Sequence, residues 1–213
     1  MRLLMSEPIL VNQPANPQHL YMLFHGVGSQ PQSMAPLAKL IAATLPEASV
    51  ICVAAPYAFD LAPGGRQWFS VKNVTEENRP QRVEQAMGEF IRCIENWQAV
   101  SDLGAENTTL IGFSQGAIMA LSMTQMVDKQ PAARIFALSG RFAAEPSSPA
   151  KGVRIHLLHG RLDRVMDVRQ AEQSFAQLKA LKADVTLDIF DDLEHGISRE
   201  EAMRMQQYLR KEE

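Results

Sequence analysis

Cysteine, tryptophan and tyrosine are scarce in this chain, at two, two and three among 213 residues. So few cysteines cannot build a disulfide framework. Cys52 and Cys93 sit in apolar surroundings without metal-ligand spacing, so each reads as a buried free thiol suited to a reducing compartment, with a pairing of the two as the alternative. An excess of charge is also missing: 21 basic and 24 acidic residues leave a net charge of −3. The longest basic cluster is the separated Arg199, Arg204, Arg210 and Lys211, which gives no footprint for nucleic acid or an anionic membrane. No apolar run approaches the ~18 residues of a membrane span. The start, MRLLMSEPILV, lacks the apolar core and small-residue cleavage site of a secretory signal. Repeats and low-complexity segments are absent as well. The expectation is a cytoplasmic globular protein.

What remains is an ordinary globular mixture, 46% hydrophobic and 21% charged. A chain of this mass buries about 70% of its unfolded surface, enough for one core, and 1–213 reads as a single domain. Short apolar runs suggest seven strands: Pro8–Val11, Leu20–Phe24, Val50–Ala54, Thr108–Phe113, Arg134–Leu138, Arg154–Leu158 and Val185–Phe190. Several are nearly continuous in apolar or β-branched residues, as strands covered on both faces tend to be. Between them run stripes of helical period. These are Met34, Leu37, Ile41 and Leu45; Val83, Met87, Phe90, Ile91, Ile94 and Trp97; and Val168, Ala171, Phe175, Leu178 and Leu181. The alternation predicts an α/β fold, a mostly parallel sheet of about seven strands with helices on both sides. Tyr57–Arg82 is long for a connection, and such loops are often functional. Ala143–Gly152 reads as a surface loop.

The chemistry starts at Gly112-Phe113-Ser114-Gln115-Gly116, a G-x-S-x-G run between the predicted strand TTLIGF and the helical AIMALSMTQMV. Flanking glycines leave room for a sharp turn that lifts the serine hydroxyl above the sheet edge, next to free N–H groups at a helix start. A serine hydroxyl needs a base, and histidine titrates near pH 6.5. Of the histidines after Ser114, His156 lies inside a predicted strand, and His159 precedes the candidate acid. His195, in DDLEHG, follows the last strand and precedes a capping-box-like Ser198-Arg199-Glu200-Glu201. His195 is the expected base. Asp163, on the loop after VRIHLLHG, is the expected orienter, while Asp167 reads as a helix N-cap and Asp191 and Asp192 as solvated loop carboxylates. Backbone N–H groups of Gln115 and of Val27, in the His25-Gly26-Val27-Gly28 turn, are the expected oxyanion donors. His25 reads as a brace for that turn. Met119, Met123 and Met126 read as core filling.

LFHGVGS, GRQWF, GFSQGA, LHGRLDRV and LEHGIS, in this order, resemble the phospholipase/carboxylesterase family of α/β-hydrolases. That family includes bacterial carboxylesterases, here a small proteobacterial esterase by resemblance, and eukaryotic acyl-protein thioesterases. The likeness runs from about Leu20 to Ser198. It implies Ser114 as nucleophile, His195 as base, Asp163 as orienter, and Val27 and Gln115 as oxyanion donors. It also places the Trp68 loop beside the substrate, making Trp68 a candidate substrate contact. The chain departs from the family at Val27 (often leucine), at Ser70 (often aspartate) and at Asp167 (often proline). The expected activity is hydrolysis of small-molecule carboxylic esters, with short acyl chains because Tyr57–Arg82 leaves little chain for a lid. Thioesters are the alternative, and a non-catalytic hydrolase-fold binding module is the rival from another class. No metal or organic cofactor is implied, and nothing in the sequence marks an oligomer interface.

Overall fold

The computed structural model describes residues 7–211. The opening MRLLMS, part of the segment read above as no secretory signal, lies outside the described residues. The strands are β1 (Ile9–Asn12), β2 (His19–Phe24), β3 (Ala48–Val53), β4 (Tyr57–Ala58), β5 (Arg66–Gln67), β6 (Thr108–Phe113), β7 (Arg134–Leu138), β8 (Arg154–Gly160) and β9 (Asp184–Phe190). The helices are α1 (Ala35–Thr44), α2 (Arg79–Ser101), α3 (Gln115–Met126), α4 (Arg169–Ala180) and α5 (Arg199–Lys211). All seven expected strands are present, in one sheet of order β1-β3-β2-β6-β7-β8-β9. Only β1 runs antiparallel, at the edge beside β3. The Tyr57–Arg82 stretch adds a two-stranded ribbon, β4 with β5, that the sequence reading took as loop.

Side-chain alternation sorts the core into two layers. Leu20, Met22 and Phe24 of β2 point to one face with Ile51, Leu110, Ile135 and Ile155, and there they meet α2, α3 and α4. Tyr21 and Leu23 point to the other face with Val50, Ile111, Phe136 and Leu158, against α1 and α5. Because both faces are covered, the central strands read as unbroken apolar runs. Helix α3 is buried along nearly its whole length, from Gln115 to Thr124. Met119 and Met123 fill core as expected, whereas Met126, at the end of α3, is 39% exposed.

The strand order matters for the site. From β2 the chain moves outward to β3, then returns to β6 on the other side of β2. The crevice above the carboxyl ends of β2 and β6 is therefore a topological switch point, the place where open α/β sheets bind ligands. The register, Phe24 opposite Gly112, brings the segment after Phe24 level with the segment after Phe113.

At the start of α5, the Glu201 N–H donates to Ser198 Oγ at 3.0 Å, half of the expected capping box. The reciprocal half is not formed: the Glu201 carboxyl is buried, and both of its oxygens lack a hydrogen-bond partner. Burial pushes this carboxyl up to about 8, outweighing the Ser198 backbone, which acts the other way. A group raised in the folded state contributes stability that is complete below its unfolded value of 4.5 and lost as pH rises through about 8. Glu201→Gln has no such loss. Its advantage over the wild type should be absent near pH 4 and grow by up to about 1.4 kcal/mol per pH unit until pH 8. Urea unfolding at pH 5 and pH 8 checks this, and a difference independent of pH would contradict it.

Candidate active site

Ser114 occupies the turn between β6 and α3 with φ 53° and ψ −113°. This is a strained conformation for a residue with a side chain, costing about 1–3 kcal/mol. The flanking glycines have separate steric reasons. A Cβ on Gly112 would stand 2.4 Å from the Ala117 backbone nitrogen, and one on Gly116 would stand 2.3 Å from the Phe24 carbonyl oxygen. Neither position has room for a methyl group, so helix α3 can begin directly behind the serine and close against the end of β2.

The three residues expected from sequence come together above the sheet edge. His195 Nε2 lies 3.0 Å from Ser114 Oγ, and His195 Nδ1 lies 2.7 Å from Asp163 Oδ2. An ionised carboxylate only accepts, so Nδ1 carries the proton, and Nε2 is left to accept from the serine hydroxyl. Asp163 Oδ1 accepts the N–H groups of Val165 at 2.9 Å and Met166 at 2.8 Å. Burial works against this carboxylate, but the Met166 N–H, His195 and the Val165 N–H outweigh it and hold the carboxyl below its usual range.

Support for the histidine loop comes from the neighbouring strand end. Leu162 N–H donates to Leu193 O at 3.0 Å, and Arg161 N–H to Phe190 O at 2.9 Å. A Cβ on Gly160 would stand 2.2 Å from Leu193 O, so only glycine lets the two loops approach. His159 braces the aspartate side: its Nε2 donates to Met166 O at 2.7 Å and lies 3.5 Å from Asp163 Oδ2. Burial lowers its pKa and keeps it neutral in this role. Asp167 stays out of the relay. Its carboxylate accepts the Arg169 N–H at 2.9 Å and pairs with the Arg169 guanidinium at 2.7 Å, which pulls it down to about 2. It thus works at the start of α4 much as expected, although the N-cap position itself falls to Val168.

The turn carrying Val27 is fastened on two sides. His25 Nδ1 donates to Gly26 O at 2.7 Å, while its Nε2 accepts the Ala55 N–H at 3.2 Å. Accepting at Nε2 requires a neutral ring, and burial lowers the pKa accordingly. On the other side, Gly28 N–H donates to Arg66 O at 2.8 Å, and Arg66 N–H to Ser29 O at 2.9 Å. The Arg66 guanidinium reaches the carbonyls of Ala55 and Pro56. Sequence reading did not single out Arg66, although it stands in the quoted GRQWF.

Val27, Ser114 and Gln115 line a common cleft of about 330 Å³ with Phe69, Ile118, Val165 and Met166. The Gln115 N–H opens α3 and has no acceptor within the helix. Its side chain is the second missed feature. Gln115 Oε1 accepts the Trp68 N–H and Nε2 donates to Phe69 O, both at 2.8 Å, tying the cleft wall to the start of α3. Trp68, the expected substrate contact, is buried against Phe24 and Phe90, with ring centroids 5.8 and 5.0 Å away, and does not line this cleft. The next residue, Phe69, does. Ser70, the departure from the family pattern, donates its hydroxyl to Asp60. A larger hollow of about 820 Å³ lies at the opposite sheet edge, around His19, Arg134 and Asp184, away from all three residues of the relay.

Gly116→Ala should lose about 1–3 kcal/mol through overpacking against Phe24 O, a fall of roughly 2–4 °C in Tm for each kcal/mol lost. A thermal melt unchanged from the wild type would show that α3 can retreat from β2 without cost.

Residues 6–213 match the phospholipase/carboxylesterase family. The esterase YpfH of Escherichia coli is 42% identical over 191 residues, spanning 88% of this chain and 81% of that protein. Acyl-protein thioesterase 1 of Cryptococcus neoformans is 27% identical over 167 residues, 72% of this chain and 69% of the relative. The crystal structure of esterase PE8 superposes with a TM-score of 0.82 at 28% identity, covering 93% of this chain and 96% of PE8. With the sheet order, the turn at Ser114 and these likenesses together, the chain belongs to the phospholipase/carboxylesterase family of α/β-hydrolases.

Proposed function

We propose that this protein is a serine hydrolase of short-chain carboxylic esters, acting as a single domain in the cytoplasm on small-molecule substrates. The observation that carries the reading is the hydrogen-bonded relay from Ser114 through His195 to Asp163, at 3.0 and 2.7 Å, opening onto the cleft. Ser114 Oγ attacks the acyl carbonyl carbon while its proton passes to His195 Nε2. Asp163 holds the imidazole in the tautomer that can accept that proton and stabilises the cation that results. The carbonyl oxygen takes the negative charge beside the N–H groups of Val27 and Gln115. Collapse expels the alcohol, which leaves with the proton from His195. Water then attacks the acyl-enzyme, again with His195 as base, and the acid departs as Ser114 regains its proton. No metal or organic cofactor enters this scheme.

The size of the cleft favours short acyl groups, since about 330 Å³ is near the lower end of ligand pockets. The same machinery would open a thioester, and the likeness to acyl-protein thioesterase 1 makes that the second reading. Matched p-nitrophenyl esters and acyl thioesters of two to sixteen carbons separate the two. Ester activity peaking at short chains is expected, and a peak on long-chain thioesters would favour the second.

Ser114→Ala should lower kcat by at least about 10³-fold while the fold persists, and reaction with a fluorophosphonate probe should vanish with it. A variant retaining a tenth of wild-type turnover would remove Ser114 from the mechanism. Asp163→Asn should lower kcat by roughly 10³–10⁴-fold through the wrong histidine tautomer. If Asp167→Asn proves the more damaging, the acid has been misassigned.

A further inference from the structure

The cleft beside Ser114 is not uniformly apolar: Arg79, Arg141 and Glu76 also line it. Both arginine side chains are largely buried, at 14% and 16% exposed, whereas Glu76 is 63% exposed. Arg141 forks onto Glu76, Nη1 to Oε1 at 3.2 Å and Nη2 to Oε2 at 2.6 Å, and its Nε donates to Phe142 O at 3.2 Å. Arg79 Nη1 lies 2.7 Å from Glu76 Oε2, yet this buried nitrogen has no well-aligned hydrogen-bond acceptor. Asp167 reaches the same cleft, but its carboxylate is already paired with Arg169.

Two largely covered cations therefore share one exposed carboxylate, leaving one positive charge in excess at the cleft wall. Buried guanidinium groups need acceptors, and their fork geometry fits carboxylates best. The arrangement holds the arginines in place through Glu76, and Arg79 Nη1 keeps donor capacity on a residue that lines the cleft. Resting on the esterase reading above, we propose that the cleft selects short esters or thioesters that themselves carry a carboxylate, bound by Arg79 and Arg141 beside Glu76. The carboxylate can belong to the acyl part or to the leaving group, and the substrates below distinguish these.

The test compares carboxylates with their uncharged amides of equal size. p-Nitrophenyl glutarate against p-nitrophenyl glutaramate places the charge on the acyl side. The butyrate ester of 3-hydroxypropanoate against that of 3-hydroxypropanamide places it on the leaving side. In at least one pair, wild-type kcat/KM should favour the carboxylate by about tenfold or more, and the preference should shrink as salt rises. Arg141→Met should collapse that ratio. Glu76→Gln, which frees both arginines from their internal carboxylate, should raise it several-fold. A purely structural ion pair predicts an unchanged ratio for Glu76→Gln, with both members of each pair falling together. Should Arg141→Met fail to fold, Glu76→Gln decides alone. Ser114-dependent turnover with ratios near one in both pairs, unmoved by Glu76→Gln, overturns this inference and leaves the esterase reading standing. Absence of Ser114-dependent turnover on every ester and thioester overturns both.

Discussion

The contact between the start of α3 and the end of β2 constrains everything built above the sheet. Gly116 stands so close to the Phe24 carbonyl that a methyl group could not be inserted, and Gly112 leaves no space on the strand side. Between them Ser114 is driven into a conformation that costs free energy. The return is placement: the hydroxyl stands clear of the sheet, within reach of His195. The first N–H of α3 lies beside the turn carrying Val27. Loosening that contact would shift the serine and its neighbouring donors together.

A second pattern concerns which ionisable groups stay charged. Asp163 is buried yet remains ionised because backbone N–H groups and His195 surround its oxygens. His25 and His159 are buried and kept neutral, each spending a ring proton on a backbone carbonyl. Among the described residues the two cysteines are free, and burial pushes each thiol up to about 12. They stay protonated near neutral pH and offer no competing nucleophile. The relay carboxylate thus stays charged while the histidine braces stay neutral.

The central strands were legible because burial on both faces leaves unbroken apolar runs, and the Ser114 turn because its glycines answer a local steric demand. Asp163 and His195 could be ranked by position after a strand, since loops at that edge reach the site. The segment from Tyr57 to Arg82 resisted reading. Strands of two residues leave no periodicity, and nothing local told whether Trp68 or Phe69 would turn inward to the core. The packing of Trp68 against Phe24 and Phe90 is a long-range outcome. The Glu76–Arg79–Arg141 cluster was hidden for the same reason: Arg141 lies 65 residues from Glu76 along the chain.

The side chain of Gln115 couples two parts of the site. Through its two bonds to Trp68 N–H and Phe69 O, the wall of the cleft is tied to the first turn of α3. Variants that widen the cleft by displacing Phe69 would therefore detune the rate along with the fit. The cleft should widen with less disturbance of α3 at Val165 and Met166, which line it with no bond to the Gln115 side chain among the described residues, or by shortening side chains in place.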